Sequence, residues 1–273
     1  MDTQDTRQRG TAAFDGTMIG DVFVETATPP DGTARRAHPV VYIHGGGQGS
    51  WAYHNFLQFF AARGWTGHAV NWFGHHGSGV PEGMDPLDRG IADLTEELEQ
   101  VIATLDARPV VVGHSMGGLA VLKYAESHPV AAVVMLASVV PAETDVPDVP
   151  FDFVPGQPYP VPSFEIAHAA FFDGMTQEQA RYYYERLSPI SSRQLLDGSA
   201  HRVSVDPAGV SAPVLAVGGE LDPLCPADLM EKMSGVYGFD FIRQPGRGHN
   251  LPMEAHWSET ASLVAAWLDE HVS

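Results

Sequence analysis

The chain is short of cysteine and of positive charge, and both shortages narrow the kinds of protein it can be. A single cysteine, Cys225, among 273 residues allows no internal disulfide. Acidic residues outnumber basic ones 34 to 15, which gives a formal charge of −19. A surface this acidic repels phosphate backbones and anionic lipid, so neither nucleic acid nor a membrane is expected as a partner.

Long apolar runs are missing as well. The longest, around Val130–Val140, is too short to span a bilayer. The first residues, 1–13, contain no apolar core of a secretory signal and are predicted to form a disordered tail. We therefore expect a cytoplasmic protein, either a monomer or a homodimer.

Short apolar runs alternate along the chain with segments of helical periodicity. The runs are Val40–Ile43, Val110–Val112, Ala132–Leu136 and Val214–Val217. Continuous apolar runs of this length are typical of strands buried on both faces of a parallel sheet. The alternation predicts an α/β fold with a mostly parallel, doubly wound sheet, built from residues 14–140 and 212–273.

Residues 141–211 interrupt this alternation of predicted strands and helices. The segment begins rich in proline and aspartate and continues with helical stretches that carry many aromatic residues. It is predicted to form a helical cap inserted over the sheet. Phe171, Phe172 and Tyr183 are expected to pack the cap and to line an apolar substrate pocket beneath it.

The motif Gly113-His114-Ser115-Met116-Gly117 stands where an apolar strand gives way to a helical stretch. It fits G-x-S-x-G, in which a serine occupies a sharp strand-to-helix turn with its hydroxyl exposed. The residues two before and two after the serine must be tiny, and both are glycine here. The following helix directs its first N–H groups toward the same point. The pattern predicts Ser115 as a nucleophile.

A serine hydroxyl is a weak nucleophile and needs a neighbouring base. After this type of turn the chain order is serine, then acid, then histidine. Asp222 follows a predicted buried strand and His249 lies in a loop before the last helix, each just beyond a strand end. Ser115, Asp222 and His249 are therefore the predicted catalytic triad. Glu220, on the same loop as Asp222, is the alternative acid.

The glycine-rich stretch after His44 does not match a phosphate-binding loop. From Gly45 the sequence runs G-G-G-Q-G-S, which lacks the third glycine of a dinucleotide fingerprint and has no P-loop lysine nearby. The sequence also lacks the HExxH pattern of zinc hydrolases, and the adjacent His75 and His76 do not form a ligand set by themselves. We expect neither a cofactor nor a metal.

Four stretches in this order, HGGGQGSW, GHSMGG, GGELDPL and GRGHNLPME, resemble the α/β-hydrolase fold family, in particular its cap-bearing serine esterase, lipase and lactonase group. The likeness extends over about Val22 to Val272. It implies the triad named above and an oxyanion hole formed by the N–H groups of Gly46 and Met116, with Gly47 as the alternative to Gly46.

The resemblance also concerns the loop that begins at Asn71, where the family often has aspartate. The bulky Trp72 of this loop and His114, beside the nucleophile, are expected to border the substrate pocket.

Together these features predict a serine hydrolase that cleaves a carboxylic ester or lactone of a small, fairly apolar substrate through an acyl-enzyme. Two alternatives stay open. The same triad would serve a C–C bond hydrolase or a thioesterase. A ligand-binding receptor built on a hydrolase scaffold is the alternative from a different class.

Overall fold

The computed structural model of the protein describes residues 14–152, 154 and 156–272. The predicted tail, residues 1–13, lies outside the described residues. The strands are β1 (Asp15–Ile19), β2 (Val22–Ala27), β3 (Val40–Ile43), β4 (Gly67–Val70), β5 (Val110–His114), β6 (Ala132–Leu136), β7 (Pro158–Tyr159), β8 (Ile190–Ser191), β9 (Val214–Gly219) and β10 (Asp240–Gln244). The helices are α1 (His54–Ala61), α2 (Thr95–Ile102), α3 (Met116–Ala125), α4 (Phe164–Ala170), α5 (Gln177–Tyr184), α6 (Ser192–Ser199), α7 (Ala227–Tyr237) and α8 (Trp257–His271).

Eight strands form one sheet in the order β1-β2-β4-β3-β5-β6-β9-β10. The six strands from β4 to β10 pair in parallel, whereas β1 and β2 are antiparallel. Gly20, whose φ is 59°, makes the turn of the hairpin formed by β1 and β2. The predicted α/β fold with its mostly parallel sheet is confirmed.

Helices cover both faces of the sheet, which explains why its central strands show no alternation. In β3, Val41 and Ile43 belong to the part of the core on the side of α2, α3 and α7, whereas Val40 and Tyr42 belong to the part on the side of α1 and α8. All four are 0% exposed. Each fully buried aliphatic side chain stabilises the fold by about 1.5–3 kcal/mol, so both faces contribute to the core.

The chain between β6 and β9 contains α4, α5, α6 and the two-stranded sheet of β7 and β8. We call residues 141–211 the insertion; its limits and its role as a cap stay predictions. Its helices have clear local start signals. Thr176 and Gln179 form a capping box at the start of α5, and Ser191 and Gln194 form another at α6.

No helix among the described residues is both long and apolar enough to cross a membrane.

Candidate active site

Ser115 occupies the sharp turn between β5 and α3, with φ of 55° and ψ of −120°. A non-glycine residue with these angles is strained, and such strain is concentrated at functional sites. The flanking glycines are sterically required. A Cβ on Gly113 would lie 2.1 Å from the carbonyl oxygen of Gly117, and one on Gly117 would lie 2.5 Å from the carbonyl oxygens of Ile43 and His44.

Asp222 and His249 form a buried pair, 5% and 2% exposed. His249 Nδ1 donates to Asp222 Oδ2 over 2.9 Å, and the other carboxylate oxygen accepts the N–H groups of Leu224 and Cys225 at 2.8 and 2.9 Å. Burial alone would raise the pKa of Asp222, but the charge of His249 and these hydrogen bonds outweigh it and lower the pKa. The carboxylate is therefore ionised, and His249 Nε2 is left to face a reacting group.

The Ser115 side chain lies against the thiol of Cys225. Among the described residues its hydroxyl makes no hydrogen bond to His249. Such bonds often form only when substrate binds. The Cys225 thiol, an oxygen of Asp222 and a ring nitrogen of His249 lie within 4.8 Å of one another, and Ser115 therefore contacts a neighbour of the buried pair.

The same three donor types would suit a metal ion. However, both oxygens of Asp222 already accept hydrogen bonds. Burial, and then the charge of Asp222, raise the pKa of the Cys225 thiol well above its usual range. The thiol is therefore neutral, whereas a metal ligand must be a thiolate. These contacts suit an acid–base pair beside a neutral thiol.

The glycine loop after β3 passes close to Ser115. A Cβ on Gly45 would lie 2.9 Å from the Cβ of Ser115. Gly45 and Gly47 are buried, and Gly46 is the partly exposed member of the three. Gly47 faces the insertion, since its carbonyl accepts the N–H of Ser188 at 2.8 Å. This arrangement favours Gly46 over Gly47 as the donor that a substrate reaches.

The loop that begins at Asn71 is fixed by the residue that departs from the family pattern. Asn71 Nδ2 donates to the Phe23 carbonyl and to Ser50 Oγ, both at 3.0 Å. An aspartate could not make these donations. Trp72 then stacks on His44, with ring centroids 4.6 Å apart.

The five side chains predicted to line the pocket fall into two groups. Those that are at most 1% exposed, and packed within the protein, are His114, Trp72 and Phe172. Phe171 and Tyr183 are partly exposed. The ring of Phe171 lies 6.1 Å from that of His249, and Tyr183 stacks on Trp51 at 5.7 Å. Phe171 and Tyr183 therefore have surface to offer a ligand in this conformation.

A small cavity lies beside Cys225, and Ser115, Asp222 and His249 are not among the residues that line it. Its volume is about 30 Å³, and it is lined by Ser138, Val139, Val140, Gly198, His201, Leu224, Cys225 and Leu229. Such a volume holds about one or two waters. A second cavity of about 410 Å³ lies between α1 and α8 and includes none of the candidate catalytic residues.

Sequence reasoning missed a buried ion pair, Arg89 with Glu97, that holds the loop after β4. Glu97 is 0% exposed and accepts from Arg89 Nη2 at 2.7 Å. Its other oxygen accepts the N–H of Phe73 at 2.9 Å, which holds the loop beside the site. The sequence contained one signal, because Glu97 precedes Val101 by four residues and therefore shares the apolar face of α2. The buried Gln48 and Asn250 were also missed; they come from two loops that are far apart in the sequence.

The loop that carries His249 also buries Glu254, which is 5% exposed and 3.3 Å from Arg247 Nε. Burial raises the pKa of Glu254 to about 7, against a lowering by Arg247. In the unfolded chain this carboxyl ionises near 4.5. Its contribution to stability is therefore complete below pH 4.5 and is lost as the pH rises through 7.

Glu254→Gln removes this pH-dependent cost. The difference in free energy of unfolding, variant minus wild type, is expected to be about 1–3 kcal/mol larger at pH 8.5 than at pH 5. Urea unfolding at the two pH values measures this difference. An equal effect at both values would contradict the prediction.

The eight-stranded, mostly parallel sheet with a strained serine at the end of a central strand defines an α/β-hydrolase architecture. The sequence model of the alpha/beta hydrolase family matches residues 40–263, and the chain belongs to this family. The resemblance drawn from the sequence is confirmed.

Solved structures with this fold include esterases, lipases and lactonases. The monoacylglycerol lipase of Paleococcus ferrophilus is 20% identical with a TM-score of 0.66, and the match covers 92% of this chain and 99% of that one. A thermophilic esterase from Thermogutta terrifontis is 17% identical, with a TM-score of 0.68 and coverage of 92% and 94%. An N-acyl homoserine lactonase is 17% identical, with a TM-score of 0.70 and coverage of 94% and 96%. At these identities the likeness concerns the fold alone.

Proposed function

We propose that the protein is a cofactor-independent serine hydrolase that cleaves a carboxylic ester or lactone of a small, fairly apolar substrate. The observation that carries this proposal is the strained turn at Ser115 beside the buried pair of His249 and Asp222. A hydroxyl on such a turn has no structural task that explains its strain. The esterase, lipase and lactonase neighbours support the ester or lactone class.

In the proposed reaction the Ser115 hydroxyl turns from Cys225 toward His249 and attacks the substrate carbonyl. His249 Nε2 accepts the serine proton, and Asp222 stabilises the resulting imidazolium. His249 then protonates the leaving alkoxide, which releases the alcohol and leaves an acyl-enzyme. Water, activated by His249, hydrolyses this ester and restores Ser115.

The negative oxygen that forms during attack needs donors already in place. We propose the N–H groups of Met116, at the start of α3, and of Gly46 as these donors. Among the described residues, neither N–H has an acceptor within the protein. Both therefore remain available to a substrate.

We further propose that the insertion acts as a cap, with Phe171 and Tyr183 bordering the substrate.

A fluorophosphonate probe tests the proposal directly, because it forms a covalent bond with an activated serine. We expect labelling of the folded protein at Ser115, located by mass spectrometry, and turnover of short p-nitrophenyl esters or small lactones. A folded protein that the probe does not label would overturn the proposal. Binding of a lactone with at most one turnover per molecule would favour a receptor instead.

The choice of oxyanion donor leads to a second measurement. Replacing Gly46 by glycolic acid during translation exchanges its N–H for an ester oxygen, and we expect kcat to fall about 10²–10³-fold. The same exchange at Gly47 is expected to lower kcat less than about tenfold, since that residue faces the insertion. The reverse ranking would assign the donor to Gly47.

A further inference from the structure

Three buried polar side chains around the site take no part in the proposed chemistry. Gln48 and Asn250 are 2% exposed and His114 is 1% exposed. Gln48 Oε1 accepts the N–H of Gly45 at 3.2 Å, and Gln48 Nε2 donates to Asn250 Oδ1 at 2.6 Å. Asn250 Nδ2 in turn donates to the carbonyl of Phe171 in the insertion. The hydrogen bonds thus run from the glycine loop, past the catalytic loop, to the insertion.

The direction of these bonds is dictated by the backbone at both ends. The Gly45 N–H can only donate, so it requires an oxygen from Gln48. The Phe171 carbonyl can only accept, so it requires the amide nitrogen of Asn250. Between them each amide donates toward the insertion. Turning one amide over therefore forces the other to turn as well.

The contacts of His114 conflict with this orientation of the Gln48 amide. Its Nδ1 lies 3.0 Å from Gln48 Oε1 and its Nε2 lies 2.9 Å from the His249 carbonyl, and both partners are acceptors. Burial, and then the charge of His249, lower the pKa of His114 to about 3, against weaker opposite effects of the His249 carbonyl and Asp222. The neutral ring carries one N–H, so one of the two short contacts has no proton.

Turning over the amides of both Gln48 and Asn250 satisfies His114 but leaves other groups without suitable partners. If both amides turn over, Gln48 donates to His114, which then keeps its proton for the His249 carbonyl. However, Asn250 Oδ1 then faces the Phe171 carbonyl, and the Gly45 N–H loses its acceptor. The contact of Asn250 with the insertion and the contact of Gln48 with the glycine loop are therefore kept or lost together.

We infer that Gln48, Asn250 and His114 are positioning residues that couple the docking of the insertion to the geometry of the glycine loop at 45–48. Turning the amides over loosens both ends of the chain of hydrogen bonds. The oxyanion donor at Gly46 is then in place only while the insertion is docked. The consequence for Gly46 rests on the proposed function, whereas the coupling itself concerns conformation and is tested without turnover.

Asn250→Asp is the first test, read by hydrogen exchange in peptides spanning 164–184 and 40–50. The introduced carboxylate still accepts from Gln48 but, while it is ionised, cannot donate to Phe171. At pH 8 we expect about tenfold faster exchange than wild type in 164–184, the effect of losing one net hydrogen bond. Exchange in 40–50 should stay within about twofold of wild type, because the carboxylate still accepts from Gln48 and so preserves the contact of Gln48 with Gly45. Tenfold faster exchange in 40–50, or no change in 164–184, would overturn the inference.

Lowering the pH gives a readout that general damage would not produce. Once the new carboxyl is protonated, its O–H can donate to the Phe171 carbonyl again. The ratio of exchange rates, variant to wild type at the same pH, is expected to return to within about twofold at pH 4.5. A ratio that does not change with pH would contradict the inference.

Asn55→Asp is the matched control, because Asn55 Nδ2 donates to the Pro252 carbonyl at 3.4 Å in the same region without touching the insertion. It is expected to leave exchange in both peptides within twofold of wild type.

Gln48→Glu tests the coupling from the other end. The new carboxylate keeps the Gly45 contact but cannot donate, so Asn250 must turn its nitrogen away from Phe171. Exchange in 164–184 is expected to rise about tenfold, although the altered atoms do not touch the insertion. Exchange there at the wild-type rate, in a variant with an unchanged melting curve, would overturn the inference.

Discussion

Ser115→Ala is expected to lower kcat for ester hydrolysis by about 10⁴–10⁶-fold, the largest effect of any substitution considered. Without the hydroxyl no acyl-enzyme forms, and His249 has no serine proton to accept. The residual rate would come from substrate binding and the oxyanion donors alone. Steady-state kinetics with a short p-nitrophenyl ester measures the loss, and fluorophosphonate labelling should disappear with it.

Ser138→Ala is the matched control for this change. Ser138 also follows the end of a central strand, and its buried hydroxyl donates to the Val139 carbonyl at 2.7 Å. We expect it to lower kcat less than tenfold and to leave probe labelling intact. Near-normal activity of Ser115→Ala, or equal losses in both variants, would reject Ser115 as the nucleophile.

Asp222→Asn is expected to lower kcat by about 10⁴-fold. An asparagine amide cannot stabilise the imidazolium of His249 and favours the wrong tautomer of the ring. Because the substitution preserves size, the protein should remain folded, as circular dichroism would verify. The fall should appear in kcat more than in KM, since the interaction strengthens only as His249 becomes charged.

Glu220→Gln tests which of the two neighbouring carboxylates, Asp222 or Glu220, acts as the catalytic acid residue. Glu220 is exposed, and its Oε2 accepts the N–H of Gly246 at 2.9 Å. Its replacement should lower kcat less than about threefold. A large loss in Glu220→Gln together with a small one in Asp222→Asn would transfer the role of acid to Glu220.

Much of the fold could be predicted because its central strands are unusual in composition. Runs such as Val110–Val112 are apolar at every position, and only a strand covered on both faces needs this. The turn at Ser115 was equally open to prediction, since Gly113 and Gly117 leave room that any Cβ would fill. The hairpin at Gly20 was not predicted, because one glycine in a run of alternating apolar and polar residues fits either a turn or a continuous strand.

The candidate triad could be named from the chain order and from positions just beyond strand ends. The hydrogen bond between His249 and Asp222 was implied by that order, but which of Asp222 and Glu220 faces the histidine was not. These carboxylates are two positions apart, and only the path of the loop turns Asp222 inward and Glu220 toward Gly246.

The amino-acid sequence by itself determined the strand positions, the strained serine and the order of the candidate catalytic residues. These are local properties, set by side-chain size, polarity and spacing within about ten residues. Tertiary structure alone decided which buried groups meet. Gln48 and Asn250 are 202 positions apart, and their contact depends on how their two loops pack together. Hydrogen bonds between distant loops leave no periodic trace in a sequence, so the neighbours of His114 and the partner of Phe171 emerge only in the folded chain.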